Sequence, residues 1–340
     1  MTQTETALQN RAIVPPMLIR ALLRVAQARG LPPDRLCLGL GFGPEDLRDP
    51  ALRVSYRQTR ALCKRVQAQL NEPSLGLLAG QAQTPLSWGL PGLAMLTCQT
   101  LGQAIAFCAV HQSEAGALVS FRIERQDGLL VVEAQPRYHD PELEPLLIEE
   151  AFAASLTVVR ALVGADFTPE RVELAWPAPA HTLAHRRVFG CNVQFDRPAH
   201  RMWTSQRWLA QELPGWDPYA CDALREHLAA LLECPGNRND LHESALTWLR
   251  GNLDNAPSMA GLARHLNLGE RTLRRRLDAL GVSWRALHDQ VRRDHALALL
   301  QRAALPIHEV ASATGFDDLR AFRRAFKRWT GARPSALRQR

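Results

Sequence analysis

No stretch of this 340-residue chain comes near the roughly 18 uninterrupted apolar residues that a membrane-spanning helix requires. Even Leu143 to Val163 is broken by Glu144, Glu149, Glu150 and Arg160. The first residues, Met1 to Gln9, are polar and carry Glu5, without the basic segment and apolar run of a secretory signal. These absences point to a cytoplasmic protein with no membrane partner. Also missing is any C-x-x-C arrangement. The seven cysteines (Cys37, Cys63, Cys98, Cys108, Cys191, Cys221 and Cys234) are odd in number and scattered, which excludes a disulfide framework or a cysteine-built zinc site and leaves reduced, mostly buried thiols. G-x-S-x-G, H-E-x-x-H and G-x-x-x-x-G-K-[ST] do not occur either, so the common hydrolase, metalloprotease and phosphate-loop chemistries lack their residues. The chain reads as a non-enzyme with no cofactor.

What is present is unevenly distributed charge. The length suits two domains, and a hydrophobic content of 46% is ordinary for a globular protein. Residues Leu241 to Arg340 hold 18 Lys and Arg against 9 Asp and Glu, while the rest of the chain holds 23 against 25. The entire basic excess therefore lies in the last third, as expected of a polyanion-binding module joined to a near-neutral one.

In the near-neutral part, apolar spacing predicts helices over residues 17–29 and 52–70, another from Thr100 through Val110, and a long one over Glu142 to Val163. Strands are expected at Ala117 to Glu124 and Leu129 to Ala134, joined by the turn formers Gln126, Asp127 and Gly128, with a further strand at Arg171 to Trp176. Turn-forming residues from Cys234 to Asp240 mark a boundary: an N-terminal domain at 1–234, a linker at 235–240 and a C-terminal domain at 241–340.

The C-terminal domain carries two similar units. In PSMAGLARHLNLGERTLRRRLDALG, Ser258 is placed to cap a short helix with Met259, Leu262, Ala263 and Leu266 on its apolar face. Asn267, Leu268 and Gly269 turn the chain into a second helix, with Leu273, Leu277 and Leu280 inward and Arg271, Arg274 and Arg275 outward. Forty-eight residues on, Ile307, Val310, Ala311 and Phe316 repeat Met259, Leu262, Ala263 and Leu268. With one residue inserted, Phe322 and Phe326 repeat Leu273 and Leu277. Here Arg320, Arg323, Arg324 and Lys327 stand at i, i+3, i+4 and i+7 and make one basic helix face. An apolar-patterned linker helix, Ser283 to Arg302, joins the units, 258–280 and 307–330. Two short helices with arginines outside the second suit insertion into the major groove, where a planar guanidinium can bond a guanine edge or clamp a phosphate.

From Leu241 to Arg338 these residues resemble the AraC/XylS family of bacterial transcription regulators, most specifically in GFDDLRAFRRAFKRWTGARPSALR. The resemblance implies that Arg271, Thr272, Arg274 and Arg275 in the first recognition helix, and Leu319, Arg320, Arg323 and Arg324 in the second, meet bases or adjacent phosphates, with Lys327 on the backbone. Two departures stand out. Asp317 and Asp318 put acid at the start of the second recognition helix, and Arg293 takes a position usually held by leucine. Residues 74–218, with SLGLLAGQ, WGLPGLAMLTCQTLGQAI and RRVFGCNVQFDRPAHRMW, resemble the arabinose-binding-type sensing domain of the same family. The expected fold class is thus a mixed α+β sensing domain joined to an all-α domain of two helix-turn-helix units bridged by a linker helix. The implied partners are double-stranded promoter DNA, RNA polymerase, a small-molecule effector such as an amino acid or amine, and a second copy of the chain as a homodimer. The implied role is an activator of a metabolic operon.

The same residues admit competing readings. His181 and His185, four apart, have no Asp, Glu or Cys in register, which favours surface or capping roles over a metal. Trp88, Phe107, Tyr138, Trp176 and Trp203 suit core packing better than a pocket wall. Glu149 and Glu150, being adjacent, point about 100° apart on a helix, and read as a solvated edge. A DNA-repair enzyme with this type of DNA-binding domain would need a clustered cysteine site and a Pro-Cys-His-Arg motif, and neither occurs. A ligand-independent architectural DNA binder is the other alternative, and a pocket in the N-terminal domain discriminates against it.

Overall fold

The computed structural model of the chain describes residues 9–232, 240–253, 257–266, 268–302 and 305–337. The chain forms two compact units, one of residues 1–36 and 47–238 and one of residues 37–46 and 239–340. The sequence-based division places 37–46 in the N-terminal domain, yet this segment belongs to the second unit. There Gly41, at φ +84°, lies so close to Ser244 and Leu266 that a Cβ would overlap the Ser244 hydroxyl. Nothing in the local pattern of CLGLGFGPED announces that long-range contact. The expected linker falls outside the described residues until Asp240, where a helix begins.

In the first unit, α1 (Met17–Ala28) buries Leu18, Leu22, Val25 and Ala26, the face read from the sequence. Helix α2 (Tyr56–Leu70) opens on a capping box, in which the Gln58 N–H donates to the Ser55 hydroxyl and the Ser55 N–H donates to Gln58 Oε1. Helices α3 (Leu75–Gln81), α4 (Gly89–Leu96) and α5 (Leu101–Val110) precede a hairpin of β1 (Val119–Gln126) and β2 (Leu129–Pro136). Asp127 and Gly128, both at positive φ, make its two-residue turn; both strands end two residues beyond the expected spans, and β1 also begins two residues later than expected. Next come α6 (Glu144–Val163), β3 (Arg171–Glu173), α7 (Thr182–Phe189), β4 (Asn192–Gln194), β5 (His200–Ser205) and α8 (Pro218–Leu232). The expected strand at Arg171 to Trp176 is shorter than its apolar run. The sheet order is β1-β2-β5-β3-β4, antiparallel except for β3 with β4.

Helix α3 lies along α6, and its glycines explain the SLGLLAGQ motif. A Cβ on Gly76 would meet the Leu146 carbonyl at 2.6 Å, and one on Gly80 would meet the Ala153 Cβ and the Glu150 carbonyl at 2.6 Å. Packed interiors do not yield that distance cheaply. Gly80→Ala is therefore expected to destabilise the unit by about 1–3 kcal/mol in urea unfolding, despite alanine's better helix propensity. A stabilised variant would contradict this packing.

The second unit is helical: α9 (Asp240–Arg250), α10 (Met259–His265), α11 (Glu270–Ala279), α12 (Trp284–Arg302), α13 (Ile307–Ala313) and α14 (Leu319–Thr330). It holds two separate cores that share α12. Leu287 and Val291 join Leu262, Ala263, Leu273 and Leu277 in the first, whereas Ala296 and Leu300 join Val310, Ala311, Phe322 and Phe326 in the second. The chain thus has the mixed α and β first domain and the helical helix-turn-helix second domain read from its sequence.

Candidate nucleic-acid interface

The two helix pairs are built by the same bonds. In the first, the Leu266 N–H donates to the Leu262 carbonyl and the Leu268 N–H to the Ala263 carbonyl, at 3.0 and 2.8 Å. In the second, Thr314 donates to Val310 and Phe316 to Ala311, at 3.1 and 3.0 Å. The 48-residue offset is kept bond for bond, which makes the internal repeat structural. Asn267, part of the expected first turn, lies outside the described residues. Ser258 caps α10 as expected, its hydroxyl accepting the Gly261 N–H at 3.1 Å.

Helix α11 buries Leu273 and Leu277 and exposes Arg271, Arg274 and Arg275. Thr272 is half-buried, and Arg274 pairs with Glu270 one turn back at 3.2 Å. Leu280, expected inward, is exposed because it follows the last turn of the helix. Helix α14 separates its faces more sharply. Phe322, Ala325 and Phe326 are buried and Trp329 packs beside them, while Arg320, Arg323, Arg324 and Lys327 are exposed and make no ion pair among the described residues. Leu319 is half-buried against the second core, so it offers a duplex only an edge.

Three other arginines of this unit have partners within it. Arg328 pairs with Asp289 at 2.9 Å, and Arg292 donates to the Gly315 carbonyl at 2.8 Å while lying over the Phe316 ring. Arg293, the departure in the linker helix, bonds its neighbour Asp294. Asp318, the acidic departure, caps α14, accepting the Arg320 and Ala321 N–H groups at 3.0 Å. Those backbone bonds hold its carboxyl below the usual range. Its charge is thereby spent on the helix terminus, with Asp317 exposed beside it.

In the first unit, the adjacent glutamates face different surroundings and neither is the solvated edge expected. Glu149 is buried, and its Oε1 lies 3.1 Å from His181 Nε2 and 2.9 Å from His185 Nε2. His185, expected at the surface or as a cap, is fully buried. Glu150 lines a cavity of about 40 Å³, where the Gln83 amide donates to its carboxylate and the Trp88 Nε1–H donates to Gln83 at 2.7 Å. Burial pushes the Glu150 carboxyl up to about 7, against the pull of the Gln83 amide. Met17, Cys108, Gln112 and Phe121 also line this cavity. Sequence spacing missed both sites because α6 is covered on both sides and its partners come from segments 32 and more residues away.

Of Trp88, Phe107, Tyr138, Trp176 and Trp203, Trp88 alone lines the cavity. Tyr138 stacks on Tyr56 at 4.2 Å, Trp203 is buried beneath Arg171, Trp176 leans on His200 and Phe107 leans on His111. Burial raises the thiols of Cys63 and Cys108 to about 12, which suits packing and not thiolate chemistry. Among the described residues, no helix is long and apolar enough to cross a membrane.

Comparison with known proteins gives this geometry its context. Residues 30–213 match the arabinose-binding domain of AraC transcription regulators, N-terminal, and residues 262–340 match a helix-turn-helix domain. The chain is 31% identical to the ornithine utilization regulator of Pseudomonas aeruginosa over 334 residues, 96% of each chain. It is 26% identical over 330 residues to a helix-turn-helix transcriptional regulator of Mycobacterium tuberculosis, covering 94% of this chain and 95% of the other. The crystal structure of the transcriptional regulator CdpR from Pseudomonas aeruginosa is 24% identical, with 95% and 98% of the two chains covered and a TM-score of 0.49. The matched domains and relatives are transcription regulators, not enzymes. With one family pattern over more than half its length and a full-length relative at 31% identity, the chain belongs to the AraC family of DNA-binding transcription regulators.

Proposed function

We propose that this regulator activates a catabolic operon in response to a cationic amino acid or amine held against Glu150. The carrying observation is the Glu150 carboxylate, which faces the cavity with an amide as its partner and no cation in ion-pair reach among the described residues. An ammonium group would complete it. Full-length similarity to a regulator of ornithine utilization supports the same ligand class. At about 40 Å³ the cavity has room for a few water molecules and not for an amino acid, so the ligand enters only as the walls repack. That movement is the proposed signal, shifting the population of a DNA-binding state.

Arg271, Thr272, Arg274 and Arg275 of α11, with Leu319, Arg320, Arg323, Arg324 and Lys327 of α14, are the proposed DNA contacts. The exposed arginines of both helices, with Arg274 paired to Glu270, support that reading. A homodimer on direct repeats, contacting RNA polymerase, is the proposed active form, located in the cytoplasm. The bound promoter duplex should be lost steeply with salt, because each phosphate contact releases counterions.

The test is calorimetry and thermal shift with ornithine, putrescine and their uncharged analogues. Because the free carboxyl titrates near 7, it must lose a proton to bind a cation, so affinity should fall as pH drops from 8 to 5.5. Relative to an unfolded carboxyl near 4.5, the folded form binds the proton more tightly, so the group costs nothing below about 4.5 and its full penalty above about 7. Glu150→Gln should thus melt higher than wild type at pH 8, melt equally at pH 4.5, and lose the ligand response. Ligand affinity that is flat with pH and survives Glu150→Gln would overturn this site. No response to any cationic metabolite, with sequence-specific DNA binding intact, would favour a ligand-independent regulator.

A further inference from the structure

The buried cluster on the other side of α6 is independent of the Glu150 cavity. His181 stands at the start of α7 and His185 one turn along it, with ring centroids 4.8 Å apart. Glu149 arrives from α6, and one atom from each of the three residues lies within 4.8 Å of the others. Gly76 of α3 makes room, since a Cβ there would stand 2.9 Å from Glu149 Oε2.

Hydrogen bonds orient the rings. His185 Nδ1 is 3.3 Å from the backbone carbonyl of His181, which can only accept, so Nδ1 carries the hydrogen. Its Nε2 lies 2.9 Å from Glu149 Oε1. His181 Nε2 reaches the same oxygen at 3.1 Å. A hydrogen on Nε2, or a metal ion shared by the three side chains, satisfies this arrangement. A histidine whose Nδ1–H is anchored by a backbone carbonyl, leaving Nε2 free, is the arrangement that orients imidazole toward a metal. The donor set of two imidazoles and one carboxylate suits a divalent first-row ion, and three protein ligands leave a further position open. Tetrahedral bonds of about 2.0–2.2 Å put neighbouring ligand atoms roughly 3.3–3.6 Å apart, between the 2.9 and 3.1 Å carboxylate–imidazole spacings and the 4.8 Å that bounds the whole set. His181 is the partly exposed member, at 21% of its side-chain surface, and provides the way in; Glu149 and His185 are closed off.

We propose that Glu149, His181 and His185 bind one zinc-class divalent metal ion, which ties α7 to α6 inside the sensing domain. The expectation of no metal rested on the lack of a third ligand near the histidines in sequence. Glu149, 32 residues before His181, supplies it.

The experiment is metal analysis of the full chain after dialysis against zinc, followed by titration of metal-free protein with Co²⁺, whose visible absorption reports ligand field. Expected are about one equivalent of zinc per chain and a Co²⁺ spectrum displaced by zinc. Affinity should fall about 100-fold or more in Glu149→Gln and in His181→Gln. The latter alters only the partly exposed ligand and keeps the test valid if Glu149→Gln fails to fold, with circular dichroism as the check. His200→Gln, which breaks a histidine–carboxylate pair with Glu144 elsewhere, should leave the stoichiometry unchanged. No zinc retained by folded wild type, or binding that persists equally in His181→Gln and Glu149→Gln, would overturn the proposal and leave an imidazolium–carboxylate pair.

Discussion

Replacing Phe322 by alanine is expected to unfold the second helix-turn-helix unit and abolish DNA binding, while the sensing domain keeps its fold. Phe322 is fully buried and meets Phe316 and Phe326 at ring-centroid distances of 5.6 Å each. The core it serves is small, with Ala296, Leu300, Val310, Ala311 and Phe326 as its other buried residues. Removing a buried phenylalanine typically costs about 3–5 kcal/mol, combining lost transfer energy with an unfilled cavity. A core this size has little reserve against that loss. Because α12 places Leu287 and Val291 in the first core and Ala296 and Leu300 in the second, damage should be greatest in its C-terminal half. Hydrogen exchange resolved by segment measures this directly: protection should vanish over α13, α14 and the end of α12, and persist in α6. Loss below about 1 kcal/mol, with DNA binding intact, would mean that Phe322 does not anchor the recognition helix.

The second large effect acts with no change in fold. Arg320→Ala with Arg323→Ala removes two exposed guanidinium groups that have no ion-pair partner among the described residues, so the melting temperature should stay within the error of a surface substitution. Base contacts are each worth about 1–3 kcal/mol, so the pair should weaken specific binding by roughly 30-fold to 20,000-fold. The distribution of the loss separates two roles. If the arginines read bases, non-specific binding falls far less than specific binding; if they clamp phosphates, both fall together and the salt slope shrinks. Arg328→Ala serves as the contrast, since its guanidinium is engaged by Asp289 and its loss should appear in stability first.

The DNA-binding unit was the more legible half. Its apolar positions repeat at an offset of 48 residues up to the turn and 49 after it, and in a helix such spacing determines which side chains turn inward. Ser258, Leu273, Leu277, Phe322 and Phe326 accordingly stand where their pattern placed them. Leu280 does not, because helix periodicity fails once the helix has ended. In the sensing domain the hairpin was visible from Asp127 and Gly128, whose turn chemistry is local. Its polar sites were not. Glu149 was read against its sequence neighbours, yet its partners sit on α7, and Glu150 meets Gln83 across the contact between α3 and α6. Gly76 and Gly80 gave the one available hint, since two glycines on a single helix face announce close approach without naming the neighbour.

The most direct test of the account is a hydroxyl-radical footprint of the wild-type protein on its promoter, compared with the Arg320, Arg323 double variant. Two protected patches are expected about one helical turn apart on the same side of the duplex, as two recognition helices joined by α12 require, with the patch assigned to α14 lost in the variant. One patch, or diffuse protection unchanged by the substitutions, would contradict paired reading by α11 and α14.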